Sequence, residues 1–161
     1  MTVKEYNKSV DLYSDGIYRF ILKNIKDQDE AKDIVQDTYE KLWVKASDVS
    51  FNKAKPYLFS AAYHTMIDKI RKNKRITQLN NYGDELGYFT GEYNGLSEVL
   101  NEALERLPEV QRSVILLRDY EGYPYNEIAD ITNLSESQVK VYIYRGRLAL
   151  KKYIGNIEVL V

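Results

Sequence analysis

Residues 125–153, YNEIADITNLSESQVKVYIYRGRLALKKY, fall into two helical patterns around a tight turn. Glu127, Ile128, Ala129, Asp130 and Ile131 make a short helix. Thr132-Asn133-Leu134 makes the turn, where asparagine enters the left-handed region at little cost. Ser135 is placed to cap a second helix, with Glu136 in its first turn. Val139, Ile143, Gly146 and Leu150 then recur at i, i+4, i+7 and i+11, which is one face. That face is expected to pack inward, with Gly146 letting a neighbouring backbone come close. The opposite face carries Ser137, Lys140, Val141, Tyr144, Leu148 and Lys151, flanked by Arg145 and Arg147. From Glu136 to Tyr153 there are five cations and a single acid. Small polar residues at the start and cations further along suit a helix lying in the DNA major groove. An ordinary helical hairpin with a solvated basic face has the same spacing, so the rest of the chain must decide.

At 161 residues the chain can form one ordinary domain or two small ones. It has no cysteine, which excludes a disulfide framework and any thiolate metal site. No apolar run approaches a membrane span, and MTVKEYNKSV lacks a signal-peptide core, so a soluble cytoplasmic protein is expected. Glycine and proline are scarce, which favours helices over strands and turns. The net charge of -1 conceals segregation. Residues 52–75 hold seven cations against Asp68 alone, and residues 76–105 hold six carboxylates and no cation. Such separation is a footprint of charged partners.

Along the chain, Tyr6, Val10, Tyr13, Ile17, Phe20, Ile21 and Ile25 form the apolar stripe of a first helix from Glu5 to Lys26. Asp27-Gln28-Asp29 breaks it and caps the next. The helix from about Glu30 to Ala46 turns Ala31, Ile34, Val35, Thr38, Leu42 and Trp43 inward. It turns Asp29, Glu30, Asp33, Gln36, Asp37 and Glu40 outward, as a solvated acidic face does. The Glu-x-x-His of a di-iron bundle is missing and His64 is the sole histidine, so no metal or other cofactor is expected. Ser47–Lys53 is a loop around Phe51. Lys55–Arg75 is a helix with Leu58, Ala62, Met66 and Ile70 buried, Tyr57, Phe59 and Tyr63 interleaved, and a cationic end. Cations there complement the helix dipole. Aromatic rings beside a basic strip also suit single-stranded nucleic acid, with cations on phosphates and rings on unpaired bases.

Residues 76–96 have four glycines and no helical period, and read as a flexible acidic linker. Fully extended they span at most about 70 Å, roughly two turns of duplex at ~34–36 Å each. Tyr82, Tyr88, Phe89 and Tyr93 suggest that the linker docks on something. Ser97 is a candidate N-cap for a helix through Arg106. Leu107-Pro108 restarts the chain into another, where Val110, Val114, Leu117 and Tyr120 pack until Gly122 ends it. The last helix of the chain continues to about Ile154. The expected fold is all-α, two small helical domains at 1–75 and 97–161 joined by the linker at 76–96.

Two separated stretches resemble one family. DEAKDIVQDTYEKLW (Asp29–Trp43) and Lys55–Arg75 resemble region 2 of bacterial RNA polymerase sigma factors, and Leu107–Lys152 resembles their region 4. Two modules with so short a linker are similar to the extracytoplasmic-function (ECF) group of the sigma-70 family. The resemblance implies that Asp33, Gln36, Asp37 and Glu40 meet the clamp helices of core RNA polymerase, with Leu42 and Trp43 supporting them from the core. It implies that Phe51, Asn52, Lys53 and Tyr57 capture a flipped base of the promoter -10 element, and that Lys69, Arg71, Lys72 and Lys74 hold its phosphates. Unstacking costs a few kcal/mol per base, which the pocket must return. At the -35 element Lys140, Val141 and Tyr144 align with groove-reading positions, near Ser135 and Ser137, and Arg145 and Arg147 with phosphate-binding ones. An anti-sigma protein is a further partner that the family implies, and the linker is implied as a charge mimic in the polymerase's nucleic-acid path. The chain departs from the family pattern at Lys32, usually acidic, at Tyr63-His64 in place of Arg-Asn, at Tyr142, often Arg, and at Thr132-Asn133 in place of Leu-Gly. For His64 a packing or hydrogen-bonding role is the simpler expectation.

With no nucleotide-binding glycine loop and no catalytic dyad, a dissociable initiation subunit is expected rather than an enzyme. The rival readings are a stand-alone helix-turn-helix regulator, which would bind a palindromic operator as a dimer, and a polymerase-binding protein without promoter recognition.

Overall fold

The computed structural model describes residues 1–80 and 96–160, and every regular element among them is helical. The elements are α1 (Val3–Ile25), α2 (Gln28–Val44), a 3-10 turn (Phe51–Lys53), α3 (Ala54–Asn80), α4 (Leu96–Glu105), α5 (Glu109–Ile115), a π turn (Leu116–Tyr120), α6 (Tyr125–Thr132) and α7 (Glu136–Leu160). Local chemistry fixes most of the boundaries. Thr2 and Glu5 form a reciprocal capping box at the start of α1, satisfying two of its orphan N–H groups. Lys26 closes α1 in the left-handed conformation, φ 59°. The Asp27 side chain then accepts from the Glu30 N–H at 3.0 Å and starts α2. At the other end of the chain Asn133 takes φ 59°, ψ 37°, and Gly122 takes φ 76°, the two left-handed turns that frame α6. Ser135 and Gln138 bond reciprocally at 3.1 and 2.9 Å, a capping box that opens α7.

In the first unit α1, α2 and α3 close around Ile17, Phe20, Ile21, Ile34, Leu42, Leu58 and Met66, all fully buried. In the second, α4 to α7 close around Leu104, Val114, Leu117, Ile128, Ile131, Val139 and Ile143. Three packing expectations need correction. Trp43 lies one residue beyond Leu42, about 100° further around α2. It therefore leaves the core, is 54% exposed, and rests edge-on against Tyr6 at 5.0 Å. Tyr39 takes the inward position instead, with its hydroxyl donating to the Ser9 carbonyl at 2.8 Å. Tyr120 is exposed too, with Lys23 Nζ 4.4 Å above its ring. Gly146 does admit a close neighbour, but that neighbour is a side chain: an added Cβ would overlap Ile115 Cδ1.

Two helix boundaries also differ from expectation. Ser97 lies inside the first turn of α4, which starts at Leu96, so it is not the cap. α3 runs through Ile76 to Asn80, five residues into the stretch read as linker. The linker aromatics Tyr82, Tyr88, Phe89 and Tyr93 lie outside the described residues.

The two units share one hydrophobic core. α6 packs along α3, and α5 meets α1. Phe59 is the joint, 6.2 Å from Phe20 in its own unit and 5.1 Å, edge to face, from Tyr123 in the other. Arg112, 9% exposed, reaches across the same seam. Its Nε donates to Asn24 Oδ1 at 2.8 Å, and the Ser113 hydroxyl donates to the same oxygen at 3.4 Å. Asn24 completes the cluster by donating to the Phe20 carbonyl at 3.0 Å. Burial pushes the Arg112 guanidinium down from its ordinary value, and Glu109 and Glu105 oppose that shift.

Candidate nucleic-acid and partner surfaces

Three groups of side chains stand out on this scaffold. The first is the outer face of α2, where Asp33, Gln36, Asp37 and Glu40 are all exposed. Gln36 Nε2 reaches Glu40 at 3.5 Å, and no other hydrogen bond or ion pair holds the ridge among the described residues. Carboxylates at i, i+4 and i+7 with a solvated front are available to a cationic partner. Asp37, Glu40, Val44 and Tyr57 line a shallow cleft of about 460 Å³ with Lys41 and Lys45. Val44, 81% exposed, and Trp43 put apolar area beside the charge, an arrangement of anchor and charged rim that protein interfaces use.

The second group follows that cleft around the loop into α3. Phe51, Asn52 and Lys53 form the 3-10 turn. Phe51 is half-buried, with Lys8 Nζ 5.3 Å from its ring centre, whereas Asn52 and Lys53 face solvent. Tyr57 is half-buried between the α2 cleft and a second cleft of about 390 Å³ lined by Asp48, Val49, Lys53, Pro56, Tyr57 and Asp130. The expectation that Phe59 and Tyr63 help to stack bases is wrong: Phe59 is 1% exposed and Tyr63 is also buried. Each stands next to a member of the buried Leu58–Ala62–Met66 stripe and is drawn into the seam with the second unit. Among the three aromatics of that helix only Tyr57 presents an accessible ring. At the far end Arg71, Lys72, Lys74 and Arg75 surround an open cleft with Asp68, and Lys69 stands half-buried beside them. His64 is exposed, its ring 5.2 Å from Tyr63.

The third group is the outer face of α7. Ser135, Ser137, Lys140, Val141, Tyr144 and Arg145 all face solvent, with Tyr144 65% exposed. The cap geometry explains their direction. Asn133 turns the chain, Ser135 starts the helix, and Val139 and Ile143 lock its back to the core, leaving the complementary positions outward. Tyr125 is stacked by Arg118 at 4.3 Å and approached by Lys140 at 5.5 Å, which steadies the first helix against the second. Arg147 stands apart from its neighbours. It makes a two-pronged bond to Asp119, 3.1 Å from Nε and 2.5 Å from the terminal nitrogen, and that bond pushes its pKa up. Asp119 is 28 positions away, so no local pattern announces this pairing. The Asn24–Arg112–Ser113 cluster was missed for a different reason. Its one legible trace is an arginine and a serine set directly before the apolar run Val114–Leu117.

Comparison with known proteins places the chain in a family. Residues 10–76 match Sigma-70 region 2, and residues 97–150 match Sigma-70, region 4. The RNA polymerase sigma factor YlaC of Bacillus subtilis (strain 168) is 31% identical over 152 residues, covering 87% of this chain and 86% of that one. The ECF RNA polymerase sigma factor SigM of the same organism is 29% identical over 158 residues, 94% of each chain. Among solved structures, the sigma factor RpoE in complex with the anti-sigma factor NepR from Bartonella quintana superposes with a TM-score of 0.78. That match has 24% identity and covers 95% of this chain and 98% of the other, a likeness of fold. With both regions present in order and relatives matched over most of their length, the chain belongs to the sigma-70 family of RNA polymerase sigma factors, in its extracytoplasmic-function group.

Proposed function

We propose that this chain is a promoter-directing transcription initiation factor that works as a dissociable, non-enzymatic subunit of cytoplasmic RNA polymerase. The observation that carries this reading is the separation of three exposed surfaces on a helical scaffold: an anionic ridge on α2, a cationic aromatic-bearing strip from Phe51 into α3, and a cationic helix face on α7. In this reading Asp33, Gln36, Asp37 and Glu40 grip the clamp helices of core polymerase, with Trp43 and Val44 as apolar contacts beside them. Lys140, Val141 and Tyr144 read base edges of the -35 duplex, where an α-helix fits the major groove, and Ser135, Ser137 and Arg145 hold the flanking backbone. Phe51, Asn52, Lys53 and Tyr57 take the unpaired -10 base, with Lys69, Arg71, Lys72 and Lys74 on phosphates.

Promoter opening needs no fuel in this scheme. The polymerase fixes the spacing of the two regions and so raises the effective concentration of each for its own element. Bases are trapped as they unpair. An anti-sigma protein is a third partner, in line with the solved structure of RpoE with the anti-sigma factor NepR. The test is co-purification with core polymerase followed by run-off transcription from randomised promoters at fixed salt, because phosphate contacts make affinity steeply salt-dependent. Promoter-selective transcripts are expected only when the chain is added. A chain that fails to join core enzyme, or joins it without selecting promoters, sinks the proposal.

A further inference from the structure

Beside the outward face of α7 stands Tyr125, the half-buried first residue of α6, with two cations over its ring. Arg118 sets its guanidinium 4.3 Å from the ring centre and Lys140 its ammonium 5.5 Å from it, both within cation–π range. Arg118 is tied a second time, donating from Nη1 to the Tyr123 carbonyl at 3.1 Å. It comes from the π turn Leu116–Tyr120, a rare geometry that recurs at functional sites. The next residue of that turn, Asp119, holds Arg147. One stretch of backbone thus reaches two cations of α7, Lys140 through Tyr125 and Arg147 directly.

The two cations over the ring are not equivalent. Arg118 is half-buried and fixed by its hydrogen bond, whereas Lys140 is exposed and makes no hydrogen bond or ion pair among the described residues. The ring attracts the ammonium and the fixed guanidinium repels it, so together they restrict where the lysine head can stand. A free lysine gives up much rotamer freedom when a ligand immobilises it, and a head already held gives up less. An ammonium has three donors, so the ring leaves others for a base. Arg145, further along α7, has neither ring nor carboxylate partner among the described residues. A phosphate contact tolerates that freedom because it carries no sequence information. A base contact does not, because adjacent base edges must be told apart. We infer that Tyr125, with Arg118, is a positioning residue for base reading, which aims Lys140 at one base pair of the -35 duplex. A lysine head only donates, so the edge it reads is an acceptor edge, guanine O6 and N7 before any other. The inference rests on the -35 assignment of Lys140.

The test uses holoenzyme reconstituted from core polymerase and the full-length chain. Starting from a -35 element that the wild-type holoenzyme selects, duplexes carry all four base pairs in turn at each position, and affinities are measured at fixed salt. Wild type is expected to prefer guanine, on either strand, at one position, and Lys140→Ala to lose that preference. Tyr125→Leu is expected to reduce it about two- to fivefold, the size of an exposed cation–π contact, and to leave the preferences at other positions in place. Tyr125→Phe, which keeps the ring, is expected to keep the wild-type profile. Tyr125→Leu/Lys140→Ala should lose no more there than Lys140→Ala alone, the non-additivity of a residue that acts through another. Ratios between duplexes cancel any change in folded fraction, and Tyr125→Met, also ringless, takes the place of Tyr125→Leu should that variant melt early. An unchanged profile or a uniform loss across positions in the ringless variant overturns the inference. So does an equal loss in Tyr125→Phe, which would make the hydroxyl a backbone contact. A Lys140-dependent preference for an A·T pair overturns the guanine assignment. Lys140→Ala with an intact profile removes the -35 assignment of Lys140 itself, an outcome distinct from all of these because it is read without touching Tyr125.

Discussion

Regions 2 and 4 both carry a cationic surface, but in this fold they differ in availability. On region 4 the outward side of α7, from Ser135 to Arg145, is open to solvent, because only its opposite side is needed for packing. On region 2 the cations at Lys55 and Arg71 already have carboxylate neighbours from the other region, and the ring of Phe59 is consumed in the joint. The proposed duplex-reading face therefore has no packing partner within the chain, whereas the proposed strand-capturing face shares two of its neighbouring cations, Lys55 and Arg71, with the other region.

The largest effect is expected at Gly146. It lies on the buried side of α7, where an added Cβ would overlap Ile115 Cδ1, and Ile115 is itself 1% exposed. Gly146→Val forces α7 away from α5 and should cost about 3 kcal/mol of unfolding free energy. Urea titration followed by circular dichroism measures it. A loss under about 1 kcal/mol would mean that Ile115 moves aside freely and that α7 is not held as described.

Next in size is the polar cluster under the seam. Asn24→Ala removes the acceptor of the buried Arg112 guanidinium and of Ser113. A hydrogen bond to a buried charge is worth more than a neutral one, so a loss of about 2–3 kcal/mol is expected. Because the cluster ties α1 to α5, the variant should also separate a shared unfolding transition into two, one per region. A variant that melts in a single transition at the wild-type temperature would show that the two regions are coupled through apolar packing alone.

Why some of this was legible in the chain and some was not follows from range. The turn at Asn133, the cap at Ser135 and the inward set Val139, Ile143 and Gly146 are local facts of one helix hairpin, and they appear where periodicity puts them. The exposure of Asp33, Gln36, Asp37 and Glu40 is likewise a matter of one helix and its period. The burial of Phe59 and Tyr63 depends on a second region docking against α3, which no window of sequence contains. Trp43 differs from the buried Leu42 by one step of helical phase, which a stripe read from spacing does not resolve. The ion pairing across the seam is half visible in the chain: the cationic run 52–75 and the acidic stretch 76–105 are plain, but the acids that reach region 2 include Glu109, Glu121 and Glu127, beyond that stretch.

On the open side, Lys140→Ala and Tyr144→Ala address promoter reading. Each is expected to weaken binding of a -35 duplex by the holoenzyme about tenfold, near the lower end of what one good base contact discriminates. Tyr144 is exposed and Tyr144→Ala should leave the thermal midpoint in place, whereas Lys140→Ala also gives up its contact with Tyr125 and should lower it only slightly. Loss of duplex affinity accompanied by an equal loss of stability would reassign them to the fold.

The smallest effect separates two arginines that the sequence treats alike. Arg145 is solvent-facing, with no ion pair among the described residues, whereas Arg147 already has both prongs on Asp119. Arg145 therefore has a charge to offer a phosphate, and the charge of Arg147 is largely answered within region 4. Arg145→Ala should reduce the slope of log affinity against log salt for -35 duplex by about one counterion's worth, ~0.9. Arg147→Ala should leave that slope nearly unchanged, because removing it also frees the Asp119 carboxylate, and its effect should appear instead as a small shift in the thermal midpoint. Equal slopes for the two variants would show that Arg147 leaves Asp119 when duplex arrives. In that case region 4 too would have a contact to surrender before binding, and the contrast between an unpartnered face and a shared one would narrow to one of degree.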